Sequence, residues 1–198
     1  MDFNLIIKRV IGIITKPVEE WKTIKGEKAT VPGLFTNYAI ILAAIPAIAG
    51  LIGWMIIGRS FMGITIRVPF MRSFMWSILM YIFSLVGVYI LAMVIDFLAP
   101  NFGANKDLTA STKIAVYSTT PSWVAGVFYI IPALGMLAMI AGFYSLYQLY
   151  LGIKEIKAPK GDKATPYFAV VIVVYIVIAF LISFIVGSIA FGSARAFL

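Results

Sequence analysis

Apolar residues recur along this chain in two different ways. Over residues 2 to 16, Asp-Phe-Asn-Leu-Ile-Ile-Lys-Arg-Val-Ile-Gly-Ile-Ile-Thr-Lys, they recur at helical spacing. At about 100° per residue, Phe3, Ile6, Ile7, Val10, Ile13 and Ile14 gather on one side; Asn4, Lys8, Arg9, Gly12 and Lys16 take the other, with Leu5 a misfit on the polar face. That pattern predicts a short helix lying in the headgroup region, with Lys8, Arg9 and Lys16 directed at lipid headgroups. Lys8 and Arg9 interrupt the apolar run and no small-residue cleavage site follows, which sets the segment apart from a signal peptide. Pro17 ends this helix, and a charged segment, Lys-Pro-Val-Glu-Glu-Trp-Lys-Thr-Ile-Lys-Gly-Glu-Lys, begins.

Past residue 33 the apolar runs become almost continuous. Residues 34 to 57, 73 to 98, 113 to 131, 133 to 153 and 165 to 191 are each long enough, at about 1.5 Å per residue, to cross a hydrocarbon core of roughly 30 Å. The third and fourth form one stretch too long for a single crossing, punctuated by Pro132-Ala133-Leu134-Gly135. This predicts a tight helical hairpin with Phe128 and Tyr129 as interface aromatics. The expected architecture is an all-α integral membrane protein: a cytoplasmic amphipathic leader (1–33) and a five-helix membrane domain (34–198). Alternate connections carry twelve and four Lys or Arg residues, the twelve on the side of the amino terminus. Counting basic residues therefore puts the amino terminus in the cytoplasm and the carboxyl terminus outside a cytoplasmic (inner) membrane.

Composition agrees. The chain has 198 residues, 62% hydrophobic and 12% charged, with a mean hydropathy of +1.02. So few charges could not cover the apolar surface a water-soluble domain would expose. With no His and no Cys, thiolate and imidazole chemistry is excluded, and no metal site, catalytic residue or cofactor is expected. The net charge of +8 comes from basic residues flanking apolar spans, which suits anionic bilayer lipid and not nucleic acid.

A few polar residues fall inside the spans. Asp96 is the one carboxylate there, and intramembrane acids are functional candidates by default. Its place near the end of the second span also fits an interfacial acid that water or a lysine can reach. Tyr117, Ser118, Thr119 and Thr120, ahead of Pro121, form the most polar piece of any span. Their hydroxyls can line a path or bond back to their own helix around a proline kink. Gln148 stands among Tyr144, Tyr147 and Tyr150, where an aromatic belt is expected.

Three stretches carry a resemblance: Asp-Phe-Leu-Ala-Pro-Asn-Phe-Gly-Ala-Asn-Lys-Asp (96–107), Lys-Ile-Ala-Val-Tyr-Ser-Thr-Thr-Pro-Ser-Trp-Val-Ala-Gly (113–126), and Ile-Pro-Ala-Leu-Gly with Tyr-Ser-Leu-Tyr-Gln-Leu-Tyr-Leu-Gly. With the opening Lys-Pro-Val-Glu-Glu-Trp, they resemble the Yip (Ypt-interacting protein) domain family in its prokaryotic form. The resemblance implies a five-span bundle with a cytoplasmic amino terminus and carries no catalytic pattern. Eukaryotic members are associated with Rab GTPases, but this sequence lacks Asp-Leu-Tyr-Gly-Pro and has a short leader, so a Rab-type GTPase partner is not expected. The resulting expectation is a non-catalytic protein that organises membrane lipid or partner proteins, as a homo-oligomer or beside another membrane protein. The alternative is a small-solute or ion transporter or channel using Asp96 and the proline-broken third span.

Overall fold

The computed structural model describes residues 3–61, 64–66 and 68–191. Two short helices come first, α1 (Phe3–Thr15) and α2 (Pro17–Gly26); Pro17 takes the first position of α2, where a missing N–H costs no hydrogen bond. α3 (Val31–Ile57) opens on Thr30, whose hydroxyl accepts from Gly33 N at 3.2 Å. It contains Pro46 and loosens into π turns at Phe35–Ala39 and Gly53–Ile57. A small antiparallel ribbon, β1 (Arg59–Phe61) with β2 (Ile64–Ile66), leads to α4 (Phe70–Phe102). α5 (Leu108–Ser118) is capped by Asp107, whose carboxylate accepts from Ala110 N at 3.0 Å. α6 (Thr120–Ala125) tightens into 3₁₀ turns at Gly126–Ile130 and Pro132–Leu134. α7 (Gly135–Gly152) then runs on through a π turn at Ile153–Lys157, and α8 (Ala164–Phe191) ends the described chain. Arg67 and Arg195, counted above on the outer side, lie outside the described residues.

Among the described residues four helices are long and apolar enough to cross a membrane: Val31–Ile57, Phe70–Phe102, Pro132–Lys157 and Gly161–Ile185. They overlap the expected spans 34–57, 73–98, 133–153 and 165–191. The expected third span, 113–131, is not one continuous helix. It divides at Thr119 between α5 and α6 and narrows from Gly126 onward. Pro121 supplies the reason, since it has no N–H for the ladder and its ring crowds the carbonyl four residues earlier, on Tyr117. Nor does the first part of this segment face outward, although Val127, Phe128, Tyr129 and Ile131 do. Ser111 through Ser118 are all buried, because α4, α7, the start of α3 and the π turn after α7 surround α5.

α4 lies at the centre, packed on α3, α5 and α8, while α7 covers α5 and α6. α8 is the least covered of the four long helices and is tied down mainly at its start. There the Tyr167 ring stacks on Phe102 at 4.8 Å and its hydroxyl donates to Ile95 O. The leader shares this core: Ile6, Ile13, Trp21 and Ile24 belong to the same apolar cluster as Leu91, Ile95, Ile114 and Tyr167. At the other end of the bundle the 3₁₀ turn presses against α3, and a Cβ on Gly126 would stand 2.5 Å from Pro46 Cβ. Gly126→Ala should therefore lower the thermal midpoint in detergent, by an overpacking cost of about 1–3 kcal/mol. Gly142→Ala, where an added Cβ meets nothing within 4 Å, should hold or raise it; equal midpoints for the two variants would contradict the packing described.

Candidate functional site

The polar groups of the leader and the membrane helices meet in a buried centre built around Gln148. This side chain is 0% exposed. Its Oε1 accepts from the Trp21 indole of α2 at 2.8 Å, and its Nε2 donates to Ile13 O of α1 at 2.7 Å. An indole N–H only donates and a carbonyl only accepts, so these partners demand an amide, with both ends specified. Tyr144, one turn away on α7, donates its hydroxyl to Ile14 O at 2.9 Å. The last carbonyls of α1, which have no partner inside their own helix, are thus satisfied by α7. Trp21 reaches this position because residue 152 is glycine, where a Cβ would stand 2.8 Å from the indole ring.

Lys113 does the same for α2. From α5 its ammonium donates to Ile24 O at 2.8 Å and to Glu27 O, placing positive charge at the carbonyl end of the helix. Arg9 completes the enclosure. Its guanidinium pairs with Glu20 and Glu27 and lies over the Tyr117 ring, 5.3 Å from the centroid. Burial disfavours the Arg9 charge, but the hydrogen bond and attraction of Glu27, with Tyr117 and Glu20 adding to them, outweigh it and raise the pKa. Among the cations expected at headgroups, Lys8 and Lys16 are exposed, whereas Arg9 turns inward with a side chain 14% exposed. Its place on the helical wheel borders the packed edge of α1, and two carboxylates, Glu20 of α2 and Glu27 just past it, lie within its reach.

Asp96 forms a second centre with Lys157. Asp96 Oδ1 accepts from Asp107 N at 2.7 Å, Ser111 Oγ at 3.1 Å and Lys157 Nζ at 3.1 Å. The ammonium also donates to Asn105 O at 3.0 Å and Asp107 O at 3.1 Å. The lysine side chain is 2% exposed and the aspartate 18%, so the pair is nearly closed and fastens the link between α4 and α5 to the end of α7.

The hydroxyl-rich piece of the chain splits up. Thr120 shares a 2.9 Å hydrogen bond with Tyr38, and Tyr38 meets Tyr117 edge-on at 4.9 Å. Ser118 and Thr119 donate back to Ala115 O at 3.2 and 2.8 Å. These two, with Ser122 and Ser145, border a cleft of about 220 Å³ among α4, α5, α6, α7 and α8. The six polar residues singled out from the sequence therefore occupy different surroundings. Gln148 serves the leader, Asp96 the α4–α5 link, Tyr117 and Thr120 the Tyr38 contact, and Ser118 and Thr119 the cleft. Sequence reasoning missed Trp21, Glu20, Lys113 and Lys157. Lys113 and Gln148 carried a usable signal, because a polar group inside an apolar stretch has to find a partner. Among the described residues no three acidic side chains come together as a cation site. Gln148→Leu leaves the Trp21 N–H unpaired, a loss of about 1–3 kcal/mol, and leaves the Ile13 carbonyl only the long 3.4 Å bond from the Tyr144 hydroxyl. Trypsin cleavage after Lys22 in purified protein should accelerate roughly tenfold or more, and an unchanged rate would remove Gln148 from its anchoring role.

Comparison with known proteins places the chain. Two curated relatives, each called inner membrane protein YohC, come from Escherichia coli strain K12 and Escherichia coli O6:H1 strain CFT073. Each is 30% identical over 151 residues, which cover 74% of this chain and 77% of the relative. No solved structure matches. The Yip1 domain model matches residues 11–192, a range that takes in Trp21, Asp96, Lys113, Gln148 and Lys157 as well as all four long apolar helices. This chain is a membrane protein of the Yip1 domain family.

Proposed function

We propose that the protein is a non-catalytic organiser of the inner membrane whose leader presents an apolar helix face to the cytoplasmic headgroup region. The observation that carries this reading is the division of α1. Ile6, Val10 and Ile13 turn toward the bundle, while Phe3, Ile7, Ile11 and Ile14, with Val18 of α2, leave a second apolar stripe exposed. Beside that stripe stand exposed Lys8 and Lys16, the arrangement that binds anionic lipid surfaces. Gln148, Tyr144 and Arg9 hold the helix in place, so the stripe is offered by a fixed element. The relatives' name places them in an inner membrane, and we extend that location to this chain.

Five crossings suit this arrangement. At about 1.5 Å per residue the stretch from Leu108 to Ile130 reaches roughly 34 Å, enough for a broken third span shielded by its neighbours. Twelve basic residues on the leader's side then put the amino terminus in the cytoplasm and the carboxyl terminus outside. Lipid and membrane proteins, the latter including further copies of this chain, are the partners that such a surface takes. The transport reading is weaker because Asp96 already accepts three hydrogen bonds on one oxygen, one of them from a buried lysine.

Because the chain has no native cysteine, single labels report cleanly. An environment-sensitive fluorophore at Ile11→Cys should emit to the blue in nanodiscs containing anionic lipid, and K8E/K16E should weaken the interaction roughly tenfold or more. Emission at the wavelength of the unfolded, fully hydrated chain would sink the reading. Cysteines at Gly26 and Ser193 test the crossings: an impermeant thiol reagent in intact cells should modify the second and spare the first.

A further inference from the structure

The large apolar side chains exposed on the membrane helices stop at different heights on different faces of the protein. On α7 they run from Leu134 through Met136, Met139, Ile140 and Phe143 to Tyr147 and go no further. Between Gln148 and Ala169 the exposed residues are small or polar, among them Lys154, Lys160, Asp162 and Lys163. On α8 the exposure of large apolar side chains begins at Val170. The Tyr150 ring meets Phe168 edge-on at 5.3 Å, so the belts of α7 and α8 end at one height. α4 differs. Its Leu91 borders the same cleft as Leu149 of α7, yet beyond that height α4 still exposes Met93 and Phe97, with the Lys106 ammonium 5.8 Å from the Phe97 ring.

The leader marks the same height on the α7 side, because Tyr144 and Gln148 hold the end of α1 there. From that height to the α6–α7 tip the distance is short. Leu134 to Tyr147 covers about 20 Å at about 1.5 Å per residue, and any tilt reduces it, against a hydrocarbon core of roughly 30 Å. Sinking the tip into hydrocarbon does not resolve the difference. Gly126–Ile130 and Pro132–Leu134 are 3₁₀ turns joined through the extended Ile131, and irregular backbone at membrane depth needs protein or water around it. Protein does not enclose this turn, since Val127, Phe128, Tyr129 and Ile131 are exposed. Headgroups and water therefore come down to the tip, and the bilayer on this face narrows.

We infer that the face formed by α7 and α8 is an interface for a locally thin bilayer and gathers lipids with short acyl chains. Mismatch between a protein's apolar belt and the bilayer carries a cost that grows with each ångström and sorts proteins by membrane thickness. Ordinary chains must splay or bend to cover a belt this short, whereas short chains cover it extended. On α4 the exposed side chains run from Phe70 to Phe97, about 40 Å along the helix, so that face makes no such selection. The inference rests on the proposed function in one respect, the headgroup position of α1; the height of the belt and the exposure of the tip stand apart from it.

The test uses purified full-length protein in nanodiscs of dioleoyl phosphatidylcholine with a fixed share of phosphatidylglycerol. Brominated dimyristoleoyl or brominated dioleoyl phosphatidylcholine is titrated in as a quencher. A fluorophore at Ile140→Cys on α7 or at Ile82→Cys on α4, both exposed positions, reports which lipid lies against each face. At equal bromine content the short lipid should quench the Ile140 label as though enriched roughly threefold or more over the long one. The two lipids should quench the Ile82 label alike. Iodide, which stays in water, should quench a fluorophore at Leu134→Cys on the tip. Equal quenching by the two lipids at Ile140, the same short-chain preference at both labels, or a Leu134 label that iodide does not reach would overturn the inference. The Ile11 label separates it from the leader's role. A short-chain preference at Ile140 beside a hydrated Ile11 upholds the thin interface and sinks the leader reading; a blue-emitting Ile11 with no preference at Ile140 does the reverse.

Discussion

The structure depends on one constraint: a helix that ends inside a protein must have its last carbonyls satisfied there. α1 and α2 both end against the bundle, and their terminal carbonyls are met by Gln148, Tyr144 and Lys113. Each of these side chains lies in a stretch of high hydropathy, where an unpaired polar group would be costly. The arrangement is reciprocal. The leader gains caps beyond the one its own backbone makes from Glu27 N to Ile24 O, and the bundle gains partners for the polar groups it buries. Neither part is satisfied without the other, which is why the leader shares the core of the membrane helices.

The same requirement explains how the two ends of the molecule differ. Where α4, α5 and α7 meet the leader, buried side chains are polar and paired: Arg9 with Glu20 and Glu27, and Asp96 with Lys157. Removing one member of a buried pair strands the other, whereas removing both is tolerated far better, so such pairs fix geometry more than they add stability. At the far end, contact is made by close backbone approach, Gly126 against Pro46. Ion pairs and side-chain hydrogen bonds join the helices at the end with the leader; at the other, close approach works beside the short ribbon and the Val68 N to Trp54 O bond.

What the sequence revealed follows from the same physics. α3, α4, α7 and α8 were legible because each exposes an apolar surface along a membrane length, and length with hydropathy measures that. α5 and α6 were not, since residues surrounded by protein are tolerated whether apolar or polar provided they are paired, and hydropathy does not separate these cases. Pro121 marked where the break would fall but not that the helix would end there. In the leader, periodicity identified a helix and its apolar arc, yet gave one face where the structure has two neighbouring ones. Ile6 and Ile13 are buried and Ile7 and Ile14 exposed, although their angular positions overlap within one arc. Arg9 shows the limit most clearly. Its partners lie eleven and eighteen residues away, on α2 and just past its end, beyond the reach of any rule about neighbours on one turn.

The pairing of nearly every buried polar group also narrows where chemistry with other molecules can take place. Asp96 is the residue a hydropathy reading singles out, yet its Oδ1 is filled from within: with three donors, one of them a lysine, that oxygen has little left to offer a passing ion. Gln148 is likewise occupied at both ends. Capacity remains where a group's bonding is incomplete or a surface lacks cover. The outer stripe of α1 is such a surface, apolar and uncovered. The conspicuous charges beneath it, Arg9 with Glu20 and Glu27, are spent on holding that surface in shape.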